Sequence, residues 1–236
     1  MVDIDPAVLS KVPLFAGLDA GVHIDVLSHA RLKRVAAGAF YFHENDPATH
    51  FYVLTQGRLK ITQLTPEGHQ VIHMILSGGE PFGGVAALGE GTYPITAEAV
   101  EDSVALSWDA RTMEALMRTY PDIAINTARF LAKRFHELQV LHRQLMTERV
   151  ERRVARALLK LAANTGRESR AGVEIDFPLS RRDLAEMTGT TLFTISRLLS
   201  GWDERGFIKA ARQRVTIVQP DRLLAIADEL PARTEL

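Results

Sequence analysis

Cysteine does not occur in this sequence of 236 residues. Its absence excludes disulfide bonds, cysteine-ligated iron–sulfur clusters, thiolate zinc sites and thiol redox switches together. Long apolar runs are also missing, since none reaches the ~18 residues that a membrane-spanning helix needs. The first five residues, MVDID, are acidic, unlike the basic start of a secretory signal. We therefore expect a cytoplasmic protein with no membrane partner.

The net charge is only −1, but the charges are unevenly distributed. Residues 1–147 carry 12 basic and 16 acidic side chains, whereas residues 148–236 carry 16 and 13. Five basic residues fall within the segment 149–160 alone. Such a positive half is typical of a region that meets a polyanion. A solvated helix face explains the same segment equally well, so charge alone does not decide between the two.

Residues 32–108 alternate between β-forming and turn-forming segments. Short stretches rich in Val, Ile, Phe, Tyr and Thr predict strands at residues 40–42, 51–54, 59–64, 71–75, 96–100 and 104–107. Many short strands with turn signals between them indicate an all-β sandwich or barrel. We predict that residues 1–120 form this first domain.

Helical periodicity follows Pro121 for some forty residues, which fits two helices that meet near Thr147 better than one. Within the first helix, residues 121–147, the spacing of three and four is that of a coiled-coil seam. The seam consists of Ala124, Ala128, Leu131, Phe135, Leu138, His142 and Leu145.

The simplest partner for this seam is the same helix of a second copy, so we predict a homodimer. A helix packed on its own β domain would use the same spacing and is the alternative. Charges such as Lys133 and Glu137 on the other faces favour the dimer. His142 would face its symmetry mate, and protonation below about pH 6.5 would then loosen the dimer. A neutral histidine, hydrogen-bonded across the seam, is the other interpretation.

Residues 179–199, LSRRDLAEMTGTTLFTISRLL, carry the clearest functional pattern. Ser180 or a neighbour caps a first helix, whose N-terminus the charge of Asp183 stabilises. Gly189 permits the tight turn of a helix-turn-helix, and one of the two threonines after it caps the second helix. The second helix is expected to bury Leu192, Ile195, Leu198 and Leu199 and to present Phe193, Thr194, Ser196 and Arg197. An ordinary helical hairpin is the alternative.

The second helix would enter the major groove of double-stranded DNA with its N-terminal side chains at base edges. Arg197 suits the commonest specific contact, to guanine O6 and N7. The DNA-backbone contacts that would set the register are expected from Ser180, Arg181, Arg182, Thr191 and Thr194. Apolar segments at 207–209 and 215–218 flank a basic tip at 210–214, which predicts a wing whose Arg212 and Arg214 reach phosphate. Residues 148–236 are thus predicted to be a winged helix-turn-helix domain.

Over nearly its whole length the chain resembles the cAMP receptor protein/Fnr (Crp/Fnr) family of bacterial regulators. The resemblance is carried by FYVLTQGRLKI at 51–61, the loop PFG at 81–83, the long helix, and TISRLL at 194–199. It implies an α+β chain with an N-terminal cyclic-nucleotide-binding-like β-barrel (jelly roll) as sensor. It also implies a homodimer on an inverted repeat that contacts RNA polymerase. Ser196 and Arg197 match the family's base-reading serine and arginine.

One departure lies in the recognition helix, where Phe193 stands in place of the glutamate of the Fnr pattern. A glutamate accepts from cytosine N4, whereas phenylalanine offers only apolar contact, for example to a thymine methyl. The half-site is expected to keep the guanine that Arg197 contacts.

Two further departures concern the effector pocket, which the resemblance assigns to Phe82, Gly83, Gly84, Val85, Tyr93 and Pro94. Gly84 replaces the glutamate that holds the ribose of a cyclic nucleotide. Tyr93 and Pro94 replace the arginine and the Ser or Thr that bind its phosphate. A buried phosphate without a guanidinium costs several kcal/mol, so we expect no cAMP binding.

Fnr itself senses oxygen through a cysteine-bound cluster, which a chain without cysteine cannot hold. Haem is the cofactor that the resemblance leaves, because residues 91–94 and 188–192 are most similar to the nitric-oxide-responsive Dnr/Nnr branch. The candidate axial ligands are His23, His29, His43, His50, His69, His73, His136 and His142.

We expect a transcription regulator and not an enzyme, because the β region carries no nucleophile elbow, phosphate loop or metal-spaced His/Glu motif. The alternative is a ligand-independent regulator whose β-barrel is a scaffold and polymerase-contacting module. Tight DNA binding without added ligand would favour that alternative.

Overall fold

A computed structural model describes residues 5–84, 89 and 91–228. The chain divides into two compact units, one up to residue 137 and one from residue 138 onwards. This division falls inside the long helix. Within the described residues, no helix combines the length and the apolar character needed to cross a membrane.

The first unit is built on two four-stranded antiparallel sheets. Their strands are β1 Arg31–Val35, β2 Phe40–Phe42, β3 His50–Gln56, β4 Leu59–Leu64, β5 Gln70–Leu76, β6 Pro81–Phe82, β7 Thr96–Ala99 and β8 Ser103–Asp109. One sheet has the order β1-β8-β3-β6 and the other β2-β7-β4-β5. The predicted jelly roll is therefore confirmed, as a sandwich of two sheets rather than one closed barrel.

Along the chain, helices come before β1 and after β8. Two short 3₁₀ helices at Pro6–Lys11 and Pro13–Phe15 precede α1 Ala20–Ser28, and α2 Ala110–Thr119 and α3 Pro121–Thr147 follow β8. Their buried side chains form one core with the outer face of β3 and β8, in which the indole of Trp108 donates to the Val26 carbonyl over 2.9 Å. A second core fills the space between the two sheets.

Strand β1 was not predicted, because three of its five residues are basic. It is an edge strand, paired only along β8 within the described sheet. Charged side chains are common on edge strands, where they discourage pairing with other chains. The composition that hides β1 from sequence analysis is therefore explained by its place in the sheet.

The second unit contains the end of α3 and the elements that follow it. These are α4 Val150–Thr165, β9 Gly166–Ser169, β10 Gly172–Ile175, α5 Arg181–Thr188, α6 Leu192–Glu204, β11 Ile208–Ala211, β12 Arg214–Ile217 and α7 Pro220–Asp228. The four strands form one antiparallel sheet in the order β11-β12-β10-β9. Gly172 has φ of +133°, and a Cβ there would lie 2.0 Å from the Ile217 carbonyl oxygen, so β10 approaches β12 only because this residue is glycine.

Candidate DNA-binding surface

Helix α5 begins at a reciprocal cap. The Ser180 hydroxyl accepts from the Asp183 amide over 3.0 Å, and the Asp183 carboxylate accepts from the Ser180 amide over 2.9 Å. The Ser180 hydroxyl also donates to the same carboxylate over 2.6 Å. Two amides at the helix N-terminus are thereby satisfied within the chain. The predicted cap is present, and in the free protein it occupies the hydroxyl that was predicted to contact phosphate.

A left-handed glycine separates α5 from α6. Gly189 has φ of +60° and ψ of +48°, and the amides of Gly189 and Thr190 both donate to the Ala185 carbonyl. Thr191 then caps α6 by accepting from the Thr194 amide over 3.2 Å. This helix-turn-helix follows from local chemistry: two side-chain caps and one residue that tolerates positive φ.

Helix α6 buries Ile195, Leu199 and Trp202. The prediction that Leu192 belongs to the buried face is wrong, since its side chain is 53% exposed. Leu192 is the first residue of α6, one turn before the buried Ile195, and about half of its side chain stays exposed to solvent. It lies instead at the edge of a surface recess described below.

The outward face of α6 carries the predicted base-reading residues. Phe193 is 76% exposed, and Arg197, about one helical turn later, is exposed on the same side. Ser196 and Thr194 are half-buried, and the Thr194 hydroxyl lies 3.0 Å from that of Thr191. Within residues 138–228 no carboxylate pairs with Arg197, so its guanidinium is available to another molecule.

The wing is a hairpin of β11 and β12 with Arg212 and Gln213 at its tip. The Gln213 carbonyl accepts from the Leu179 amide over 3.0 Å, which holds the tip beside the start of α5. An open recess lies between these elements. It is lined by Ser180, Arg181, Arg182, Leu192, Ala210, Ala211, Arg212 and Gln213.

The four arginines predicted to contact phosphate differ in their surroundings. Arg181 and Arg212 are exposed and form no ion pair with another described residue of the unit. Arg182 pairs with Glu186 over 2.9 Å, and Arg214 pairs with Glu174 over 3.2 Å. The recess therefore presents two unpaired guanidinium groups from two different elements, which is the kind of arrangement that binds a phosphate backbone.

The basic residues of α4 do not form such a surface. Arg152 donates to the Ala227 carbonyl over 3.2 Å, and Arg156 donates to the same carbonyl and pairs with Glu148 over 3.3 Å. Arg153 donates to three carbonyls of its own unit. The interpretation of residues 149–160 as a polyanion surface does not hold for these three arginines, since their charges are used to hold the unit together.

Around the predicted effector pocket, Gly84 is packed against an aromatic ring. A Cβ on Gly84 would lie 2.1 Å from Cδ2 of Phe51, so a glutamate could stand there only if that ring moved. Gly83, before it, has φ of +74°, and Phe82 is buried in β6. Val85 lies outside the described residues.

Tyr93, which the resemblance places at the position of the family's phosphate-binding arginine, is buried. Its ring stacks on Phe42 with centroids 3.7 Å apart, and its hydroxyl donates to the His50 carbonyl over 2.8 Å. Burial raises the pKa of Tyr93, which keeps its hydroxyl neutral. Pro94 is exposed and offers no donor for an anion.

Aromatic rings fill the neighbouring space between the two sheets. The cluster consists of Tyr41, Phe42, Tyr52, Phe82 and Tyr93. Lys33 lies at its edge, where the ammonium donates to the Tyr41 carbonyl over 2.8 Å and burial lowers its pKa. The space between the sheets is therefore filled by aromatic rings and their hydroxyl groups, and one donor of the Lys33 ammonium is bound to backbone.

Comparison with known proteins agrees with both units. Residues 32–120 match the cyclic nucleotide-binding domain family, and residues 152–226 match the Crp-like helix-turn-helix domain family. The cyclic AMP receptor protein of Thermus thermophilus is 31% identical over 216 residues, which cover 91% of this chain and 96% of that protein. The chain belongs to the Crp/Fnr family of transcription regulators. It is a DNA-binding regulator of that family.

Two more relatives show how widely this Crp/Fnr architecture is shared. A CRP-like cAMP-activated global transcriptional regulator of Mycobacterium tuberculosis is 23% identical, over 92% of this chain and 96% of that one. The solved structure of a CRP-family transcriptional regulator, also from Thermus thermophilus, superposes with a TM-score of 0.72 at 26% identity, covering 83% of this chain and 96% of that chain.

In this Crp/Fnr regulator the seam of α3 is exposed in the single chain. Leu131, Phe135, Leu138 and Leu145 are 36%, 63%, 52% and 43% exposed, and His142 is exposed between them. The alternative of a helix that buries this seam on its own β domain therefore does not describe these residues. An apolar stripe of this length is typical of a surface that meets another protein.

The histidines of this Crp/Fnr regulator do not gather into a metal site within the described residues, where no three potential ligands lie together. His23 is buried, with Nε2 2.9 Å from the Phe15 carbonyl oxygen, and Nε2 of His73 lies 3.2 Å from Gln63 Oε1. His136 and His142 are exposed on α3.

Two features of the DNA-binding unit have no recognisable signal in the sequence. The hairpin of β9 and β10 begins with the polar segment GRES, whose residues are all exposed, so it lacks the apolar alternation of a predicted strand. The hydrogen bonds of Arg153 join residues 35 positions apart. A basic residue three positions from the start of a helix gives no sign in the sequence of which distant carbonyls it will meet.

Proposed function

We propose that this regulator binds an inverted repeat as a homodimer and that its sensor sandwich does not use cAMP. The DNA-binding part rests on one observation. Phe193 and the unpaired Arg197 are exposed on one face of α6, beside a recess with the unpaired Arg181 and Arg212. Base-reading and phosphate-binding groups thus share one surface.

In this proposal, α6 lies in the major groove and Arg197 bonds guanine O6 and N7. Arg181 from α5 and Arg212 from the wing contact phosphates on either side, while Arg182 and Arg214 must first exchange their carboxylate partners. Ser180, Thr191, Thr194 and Ser196 complete the surface. A two-fold dimer would read half-sites about 34 Å apart, one turn of DNA.

The dimer is proposed to form through the α3 seam. The exposed Leu131, Phe135 and Leu138 at spacings of four and three, with Leu145 one heptad after Leu138, support it. His142 then lies opposite its copy, so His142→Leu is expected to tighten the dimer, and sedimentation equilibrium measures the change. An unchanged or weaker association would refute the role of His142.

The absence of cAMP binding is supported by Gly84 and Tyr93. Phe51 occupies the space that a glutamate at position 84 would need, and Tyr93 brings no positive charge. We further propose that the protein belongs to the Dnr/Nnr branch. Its effector would then be nitric oxide, sensed through a bound haem. Its axial ligand is sought first at His136, which is exposed on α3 and lies off the proposed seam, and contact with RNA polymerase completes the proposal.

The test is fluorescence anisotropy of the purified chain on a palindromic TTG-ended duplex and on a scrambled duplex, across a salt series. Preference for the palindrome supports sequence-specific binding, whereas equal and purely salt-dependent binding would leave only phosphate contacts. Repeating the titration with cAMP is expected to change nothing. Repeating the titration with haem, while recording the haem absorption band of the wild type and of His136→Ala, tests the haem response.

A second candidate is a ligand-independent regulator whose sandwich serves as a scaffold. The observation that favours it is the ring cluster between the sheets, in which Tyr93 stacks on Phe42 at 3.7 Å. Tight and specific binding by the unliganded chain, unchanged by haem, would select this candidate over the haem-dependent one.

A further inference from the structure

Arg153, in the first turn of α4, makes three hydrogen bonds to backbone carbonyls. Its Nη1 donates to Glu148 over 2.8 Å, its Nε to Thr188 over 3.1 Å, and its Nη2 to Gly189 over 3.4 Å. The side chain is half-buried, and all three acceptors are main-chain oxygens. A planar guanidinium with five donors is the side chain that can satisfy three such carbonyls at once.

Two of these carbonyls belong to the turn between α5 and α6. Thr188 is the last residue of α5, and Gly189 is the left-handed residue that ends it. The last carbonyls of a helix have no partner inside the helix, so an external donor stabilises them and opposes the negative end of the helix dipole. Arg153 supplies that donor at the point where the helix-turn-helix changes direction.

The third carbonyl belongs to the junction between α3 and α4. Glu148 follows the last residue of α3, and its amide donates to the Gln144 carbonyl of that helix. The turn is also close to α3 directly, since a Cβ on Gly189 would lie 3.4 Å from Cδ2 of Leu145. The end of α3 and the turn before the recognition helix are therefore neighbours, and Arg153 bonds to both.

The neighbouring arginines of α4 have a different task. Arg152 and Arg156 both donate to the Ala227 carbonyl near the end of α7. Arg149 is exposed, and its side chain makes no capping hydrogen bond. Of these arginines only Arg153 contacts the α5–α6 turn, and Arg149, the residue just before α4, offers a change of equal charge close by.

We propose that Arg153 is a positioning residue that ties the α5–α6 turn, and with it the recognition helix, to the end of α3. A shift of the α3–α4 junction moves the Glu148 carbonyl, and the guanidinium transmits that shift to Thr188 and Gly189. Thr191, two residues further on, caps α6 and passes the change to the reading face. The effect on DNA rests on the function proposed above, whereas the effect on the turn does not.

The test compares Arg153→Lys, Arg153→Gln and the control Arg149→Gln. Hydrogen–deuterium exchange of a peptide spanning residues 186–195 reports on the turn, whose Gly189 and Thr190 amides bond to Ala185. Both Arg153 variants are expected to exchange about tenfold faster there, while peptides from the first unit and the Arg149 control stay unchanged. Lysine keeps the charge and the stem, so this variant remains informative even if the glutamine variant fails to fold.

The second measurement is the ratio of affinities for the palindrome and the scrambled duplex, by anisotropy well below the unfolding temperature. Loss of two oriented hydrogen bonds to a charged group is expected to lower the affinity of Arg153→Lys for the palindrome about tenfold and to leave its affinity for the scrambled duplex within about twofold.

An Arg153→Lys variant with the exchange rate and the affinity of the wild type would overturn the proposal. Faster exchange with an unchanged ratio would also overturn it, since the arginine would then be only structural. A wild-type protein that shows no preference for the palindrome would refute the proposed function. Hydrogen–deuterium exchange would still test whether Arg153 stabilises the α5–α6 turn.

Discussion

Arg197 and Arg156 belong to the same unit and carry the same group, yet their surroundings are opposite. Arg156 bonds to the Ala227 carbonyl and pairs with Glu148, so its charge is satisfied inside one chain. Arg197 is exposed and pairs with no described carboxylate. A basic side chain is therefore directly available to a nucleic acid only where its own chain leaves it without a partner.

The same contrast holds for aromatic residues. Tyr93 is 3% exposed, stacked and hydrogen-bonded within the sandwich, whereas Phe135 on α3 is 63% exposed. Side chains satisfied within the chain are expected to contribute to stability, and those left open are expected to contribute to binding. Four experiments test this division.

The largest effect is expected for Arg197→Ala. A bidentate contact to guanine contributes about 2 kcal/mol, and two copies on a palindrome make the loss roughly a thousandfold in affinity. Preference for guanine at that position should disappear, while urea unfolding stays unchanged. Anisotropy on the palindrome and on guanine-substituted duplexes measures both. Arg149→Ala removes an equal charge and should lower the affinity for the palindrome less than tenfold. An equal loss of affinity in both variants would show that Arg197 acts only through its charge and not through a base contact.

The second-largest effect, on dimer association, is expected for Phe135→Glu. A carboxylate in each copy of the seam is an unpaired charge at an apolar contact, so the dimer dissociation constant should rise by roughly a hundredfold or more. Sedimentation equilibrium measures it. Gln144→Glu adds the same charge off the seam and should leave association nearly unchanged. Dimers of Phe135→Glu as tight as those of the wild type would show that the exposed stripe has another use.

Arg156→Gln tests whether an arginine that is bonded within the chain contributes to stability rather than to DNA binding. Loss of charge-assisted contacts to the Ala227 carbonyl and Glu148 is expected to lower the free energy of unfolding of the second unit by about 1–2 kcal/mol. Urea unfolding is followed by the fluorescence of Trp202, buried in α6, in a Trp108→Phe background, because Trp108 would otherwise add the signal of the first unit. Specific affinity of the folded protein should change less than twofold. Unchanged stability with weakened DNA binding would assign Arg156 to the binding surface.

The smallest effect is expected at Phe193, whose exposed ring can contact a thymine methyl but cannot hydrogen-bond a base. Burial of a methyl group contributes about 0.8 kcal/mol, or roughly fourfold in affinity. Replacing thymine by uracil, one position at a time within about two base pairs of the guanine, should weaken wild-type binding fourfold at one position. Phe193→Ala should bind both duplexes alike. Equal binding of both by the wild type would exclude methyl recognition.

The helix-turn-helix was predictable because its chemistry is local. Ser180, Gly189 and Thr191 act on neighbours within four residues, so their spacing alone indicates caps and a turn. The strands β3, β4 and β5 were predictable for a similar reason, since their apolar residues and turns lie next to one another in the chain.

The exceptions depend on distant residues. Leu192 has the spacing of a buried residue, but it is 53% exposed beside the recess between α5 and the wing. Strand β1 is basic because it is an edge, and β9 is polar because its residues stay exposed. Neither circumstance is visible in a local pattern, since both depend on which strands come together.

The amino-acid sequence by itself determined the β-rich first domain, the helix-turn-helix with its wing and the apolar seam of α3. Each of these depends on residue type and short-range spacing. Only the tertiary structure decided which arginines are exposed without a partner and which are hydrogen-bonded within the chain. The reason is that a guanidinium bonds to whatever carbonyl or carboxylate the fold brings close to it. Arg153 and Arg197 look alike in the sequence, and their different partners give them different tasks.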